Sequence, residues 1–133
     1  MKGPQRRSGA GGAVVRDWLD EVWGRTEAAV VLGGGDNAGP LAGRRLMGEV
    51  FDADDLAELR TLTTTGEFVG DICRCFGGVT VALLDAEGEF IGSGSVHGPT
   101  DVSWERDRFR NNLEVADPER LVAFLERFGV RTR

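Results

Sequence analysis

The residues of this chain with the widest chemical reach are its two cysteines, Cys73 and Cys75, and its single histidine, His97. A thiolate is both a nucleophile and a metal ligand, and an imidazole carries protons or binds zinc. Cys73 and Cys75 alternate within an extended run from Glu67 to Cys75, so both side chains leave one face, about 7 Å apart along the backbone. Asp71 shares that parity. His97 ends a strand two elements later. With these strands adjacent in chain order, its ring falls near the open end of the cysteine strand. Two thiolates and an imidazole are three of the four ligands a structural zinc takes, and Asp71 or Asp101 offers the fourth. The spacing also argues the other way. Zinc sites separate paired cysteines by about two to four residues on a turn, whereas one intervening residue on a flat strand splays the sulfurs. The same separation sits at the upper limit for a disulfide. A metal pair, a redox-sensing pair and two ordinary sheet residues are the three readings. Arg74 would favour a thiolate at close range, but it projects from the opposite side of the strand.

His97 precedes Gly98-Pro99, a turn, where a ring bonds a loop backbone or serves as a general base if a hydroxyl comes within reach. Ser93, Ser95 and Ser103 are the nearby hydroxyls. None sits in a Gly-x-Ser-x-Gly turn, and Gly92-Ser-Gly-Ser95 lies within a strand, so the chain carries no serine-hydrolase signature. Gly33-Gly-Gly-Asp-Asn-Ala-Gly39 lacks the lysine and Ser/Thr of a phosphate-binding loop, and no helix follows it directly. It reads as a connection. Trp18 and Trp23 lie on a helix after a polar tail. Tryptophan dominates interface hot spots, which makes them candidate partner-binding residues; the alternative is that they pack on the protein's own sheet. Arg106, Arg108 and Arg110, separated by Asp107 and Phe109, read as a charged strand edge that discourages sheet-to-sheet pairing.

The elements that must position these residues follow from periodicity. Val15, Trp18, Leu19, Val22 and Trp23 recur at helical spacing and predict a helix over 13–23. Ala28–Leu32 and Arg44–Phe51 read as short strands. Asp52 is a helix cap, with Asp55 in the position of a capping-box acid, for a helix over 53–62 whose apolar face is Leu56, Leu59 and Leu62. Extended runs follow at 67–75, 79–84, 89–96 and 101–105, with another at 113–115. Asp85-Ala-Glu-Gly88 is the turn between the second and third of these. Gly92 and Gly94 share one parity and leave a bare patch on one sheet face. Asp117 caps a last helix with Pro118 at its first position, Leu121, Val122, Phe124, Leu125 and Phe128 as its buried stripe, and Gly129 at its end. The fold class expected is α+β, an antiparallel sheet of about four to six strands packed against two or three helices. Residues 1–12 read as a flexible tail and 13–133 as one domain.

Composition narrows the function classes. With 133 residues, 41% hydrophobic and 29% charged, the bulk is globular. A formal charge of −6 argues against nucleic acid, whose binding rests on a basic face. No apolar run reaches membrane-spanning length, and the basic N-terminus lacks the apolar stretch of a secretory signal. Two closely spaced cysteines are too few for a secreted disulfide framework, so a reduced cytoplasmic setting is expected.

Asp71-Ile-Cys-Arg-Cys-Phe-Gly77, the hairpin at Leu84-Asp-Ala-Glu-Gly88, Val96-His97-Gly98, Trp104 and the helix ending at Gly129 together resemble a group of small proteins of high-GC bacteria. The likeness covers residues 52–130 and implies no particular activity. A second histidine often follows the first in that group; Gly98 stands there in this chain. The sequence thus leads to a non-enzymatic protein-interaction domain, binding a protein partner or itself. The alternative is a thiol-based metal or redox site at Cys73, Cys75 and His97, with zinc as the cofactor.

Overall fold

The computed structural model describes residues 12–35, 39–69, 78–98 and 100–130. Among these, seven strands form one antiparallel sheet: β1 (Ala28–Gly33), β2 (Leu46–Val50), β3 (Gly66–Val69), β4 (Val79–Leu84), β5 (Phe90–His97), β6 (Asp101–Trp104) and β7 (Asn112–Val115). Four α-helices accompany them: α1 (Gly12–Gly24), α2 (Ala53–Thr64), the single turn α3 (Arg106–Phe109) and α4 (Pro118–Arg127). The α+β class holds, with a larger sheet than composition and turn spacing suggested.

The helix ends are set by the residues that the sequence marks. The Asp52 carboxylate accepts from the Asp54 and Asp55 amides, and Asp117 accepts from the Arg120 amide with Pro118 in the first turn. Each cap satisfies donors that a helix start leaves unpaired. Asp52→Ala is therefore expected to cost about 1 kcal/mol, seen as a lower urea midpoint with an unchanged m-value. At the β4–β5 turn the Asp85 carboxylate accepts from the Glu87 and Glu89 amides, while Gly88 takes φ +79°, a left-handed conformation open to glycine at little cost.

Strand order departs from chain order: β2-β1-β4-β5-β6-β7-β3. The described part of the run expected over 67–75 is therefore not the neighbour of the strand that follows it in the chain. The neighbours of β4 are β1 and β5, and the described start of the expected cysteine strand, β3, pairs with β7 at the opposite edge. The expected Arg106–Arg108–Arg110 strand edge is also corrected. These residues belong to α3 and its cap, entered and left through left-handed backbone at Glu105 (φ 44°) and Arg110 (φ 50°).

One sheet face carries the main core. Val31, Val79, Val81, Leu83, Val96, Val102, Trp104 and Leu113 meet Val15, Leu19 and Val22 of α1, Leu59 and Leu62 of α2, and Leu121, Phe124 and Leu125 of α4. The bare glycine patch is the seat of two indoles. A side chain at Gly92 would stand 3.0 Å from the Trp18 ring, and one at Gly94 would press into the Trp104 ring. Trp104 in turn lies 6.3 Å from both Trp18 and Trp23, centroid to centroid, and its Nε1 donates to the Thr63 carbonyl at 3.0 Å. Trp23 is 6% exposed. Trp23 is thus buried against the sheet, and Trp18 is half-buried, packed over Gly92. No helix among the described residues is long and apolar enough to cross a membrane.

Candidate functional site

The face of the sheet turned away from the core clusters is different in kind. Toward β1 it carries a small apolar group, Val30, Leu32 and Ala82. Toward β6 it is polar yet buried: Thr80, Ser95, His97, Ser103 and Asn112 are all less than 10% exposed. Register explains the grouping. Thr80 pairs with Ser95 and Ser95 with Ser103, which places the three hydroxyls side by side across β4, β5 and β6, while His97 pairs with Asp101 one step along. A buried polar side chain is tolerated only with a hydrogen-bond partner, and a chain of partners runs across this face. His97 Nε2 lies 3.0 Å from Ser103 Oγ, Ser103 Oγ lies 3.5 Å from Asn112 Oδ1, and Asn112 Nδ2 donates to Asp101 Oδ2 at 3.0 Å.

These hydroxyls floor a cleft of about 230 Å³. Thr80, Ser93, Ser95 and Ser103 form the floor, Pro40, Leu41 and Arg44 one wall, and Glu105, Arg106 and Asp107 the other. Each wall has a structural cause. Arg44 donates to Thr80 Oγ1 at 2.7 Å and, through Nε and Nη2, to the Gly39 carbonyl at 3.0 and 2.7 Å; Thr80 Oγ1 donates to the Gly34 carbonyl at 2.8 Å. The guanidinium fork thus ties both ends of the glycine-rich connection to the sheet. Those ends turn carbonyl oxygens toward a cation, the reverse of a phosphate cradle, which presents amides. Residues 36–38 of that connection lie outside the described residues.

The opposite wall is built on a strained residue. Glu105 adopts left-handed backbone, a conformation that costs a non-glycine residue about 1–2 kcal/mol. Its own amide donates to the Ser93 carbonyl at 3.0 Å, and its carboxylate accepts from the Ser93 amide at 2.8 Å. One residue closes both halves of the last β5–β6 rung, the second with its side chain because its backbone has already turned away. The gain of a charge-assisted bond to a half-buried amide offsets the strain, and the carboxylate is left at the lip of the cleft.

No protein-family model, curated protein or solved structure matches this chain. The site is therefore read from its own geometry. Of the expected metal residues, Cys73 and Cys75 lie outside the described residues, as does Asp71. His97 is described, and its Nε2 is engaged by Ser103. Among the described residues, no group of three or more His, Cys, Asp or Glu side chains could hold a metal ion. Asp101, the alternative fourth ligand, is bound to Asn112. The sequence marked Ser93, Ser95 and Ser103 as available hydroxyls. It gave no sign of Thr80, Arg44, Glu105 or Asn112, whose roles arise from pairings between strands distant in the chain. A hint was there in β5, where Phe-Ile-Gly-Ser-Gly-Ser-Val-His places small and polar residues on both faces of a central strand.

Proposed function

We propose that this domain acts by binding, and that its binding site is the hydroxyl-floored cleft between the Pro40–Arg44 segment and α3. The interaction reading of the sequence carries over with its site moved, from the α1 tryptophans, which serve the core, to the opposite face. The observation that carries it is the cleft's lining: side-by-side hydroxyls on a rigid sheet, flanked by charged groups, in a concavity. Apolar clefts with a few converging polar groups are the usual small-molecule sites; this one is mostly polar and smaller. Its volume equals that of about eight waters, which suits a polar side chain from a protein partner or a free molecule of amino-acid size.

The test is a titration of isotope-labelled protein with free amino acids and short polar peptides, followed by backbone amide shifts. We expect shifts concentrated at Thr80, Ser93, Ser95, Ser103 and Glu105. Ser93→Leu, which fills the cleft without touching the helix-covered face, should weaken the response at least about tenfold, a loss of about 1.4 kcal/mol. A panel that moves no cleft amide, or moves them equally in the filled variant, removes the cleft as the site.

A further inference from the structure

We propose that the cleft selects a small zwitterion, a free α-amino acid whose carboxylate faces Arg44 and whose ammonium group faces Glu105. The inference rests on the cleft admitting a ligand and names the class of that ligand. Both side chains are half-buried and stand on opposite walls of the cavity. Neither forms an ion pair with the other or with any further described residue. A charge drawn partly out of water without a counter-charge is costly to hold. Here two of opposite sign line one concavity.

Each still has a group to offer. Arg44 bonds only neutral oxygens, the Gly39 and Gly34 carbonyls and the Thr80 hydroxyl. Those bonds use four of the five N–H groups of a guanidinium. The last, on Nη2, has no acceptor among the described residues. Glu105 uses Oε2 to accept from the Ser93 amide at 2.8 Å, while Oε1 meets no donor among the described residues. Ser93 Oγ, 3.4 Å from Oε2, lies beyond ordinary hydroxyl range of it and stays available at the cleft floor. The walls also differ in sign: Arg44 is the charged residue of its own, whereas the facing wall holds Glu105 and Asp107 against the one guanidinium of Arg106. Spacing sets the length of the ligand. Arg44 is pinned on Thr80 and Glu105 on Ser93, and Thr80 pairs with Ser95, two residues from Ser93. Such diagonal positions lie about 7–8 Å apart. Two charge-assisted bonds of about 2.8 Å each leave a gap that matches the adjacent charges of an α-amino acid. A ligand with a single charge displaces water from the other wall without replacing it, and selectivity follows.

The experiment titrates the isotope-labelled full chain with L-serine, N-acetyl-L-serine and L-serinamide at about pH 6.5, where an α-amino group is charged. We expect L-serine to move the amides of Thr80, Ser93 and Glu105 at concentrations at least about tenfold below those needed for either blocked form. Glu105→Gln keeps an oxygen for the Ser93 amide and removes the charge. It should weaken L-serine and L-serinamide about tenfold without weakening N-acetyl-L-serine, a pattern that a purely structural Glu105 does not produce. Blocked forms that bind as well as L-serine, or a Glu105→Gln loss equal for all three, overturn the zwitterion and leave the cleft standing as a binding site. No cleft shift with any of the three overturns it too, and the wider panel of amino acids and peptides then decides whether the cleft binds at all. Circular dichroism checks that Glu105→Gln is folded; if it is not, the three-ligand comparison on the wild-type protein decides alone.

Discussion

Trp104→Ala is expected to destabilise the domain by about 3–5 kcal/mol, enough to unfold a large share of a protein of ordinary marginal stability. Trp104 is the largest of the fully buried side chains. It is also where three elements meet: the Trp18 and Trp23 rings of α1 pack on it, and its Nε1 donates to the Thr63 carbonyl near the end of α2. Truncation leaves a cavity that neighbours on a rigid sheet cannot close, and it strands a buried carbonyl without its donor. Trp104→Phe should recover more than half of the loss, since most of the ring volume returns and only the hydrogen bond stays missing. Urea denaturation followed by circular dichroism measures both without relying on indole fluorescence. A Trp104→Ala midpoint close to wild type would mean that the indole does not bridge the sheet and helices as described.

Gly66→Ala is expected to cost about 3 kcal/mol, combining backbone strain with a steric clash. Gly66 opens β3 at φ +152°, outside the range most L residues adopt, and pairs with Val115. A Cβ there would run into the Glu114 carbonyl, which is backbone in the middle of a ladder and has no rotamer to escape into. The Gly66 carbonyl also accepts from Arg16 Nη2 at 2.8 Å, tying α1 to the same corner. By contrast, Gly24→Ala meets nothing within 4 Å and serves as the control. Equal midpoints for the two variants would contradict the close approach of β3 to β7.

The particular residues show what the sequence could convey. α1, α2 and α4 were legible because their apolar stripes and caps act within a few residues: Asp52 and Asp117 do bond the amides just ahead of them. The β4–β5 hairpin was legible for the same reason. The order of strands was not, because β1 pairs with β4 and β3 with β7 across long stretches of chain, and nothing local encodes those choices. The polar face inherits that limit. Ser103 stands beside His97 only because β5 and β6 are neighbours, and it reaches Asn112 only because β7 follows. Arg106, Arg108 and Arg110 misled because alternation over so few residues fits a strand edge as well as a single helical turn. The tryptophans and the glycine patch each looked anomalous alone; they are the two halves of one fit, a flat ring over a surface without side chains.

The course of α2 has a mechanical consequence. It leaves β2 at one margin of the sheet and delivers the chain to β3 at the other. Six interstrand spacings amount to about 29 Å. The twelve residues of α2 span about 18 Å, and the extended steps at its two ends add about 17 Å at most. Across a flat sheet this connection would have slack of roughly one helical turn, and the twist of a sheet brings its margins closer still. The length of α2 caps the width of the sheet: an α2 shortened beyond that slack would hold only a narrower one, whereas extra residues on the outward loops would go unnoticed by the rest of the molecule.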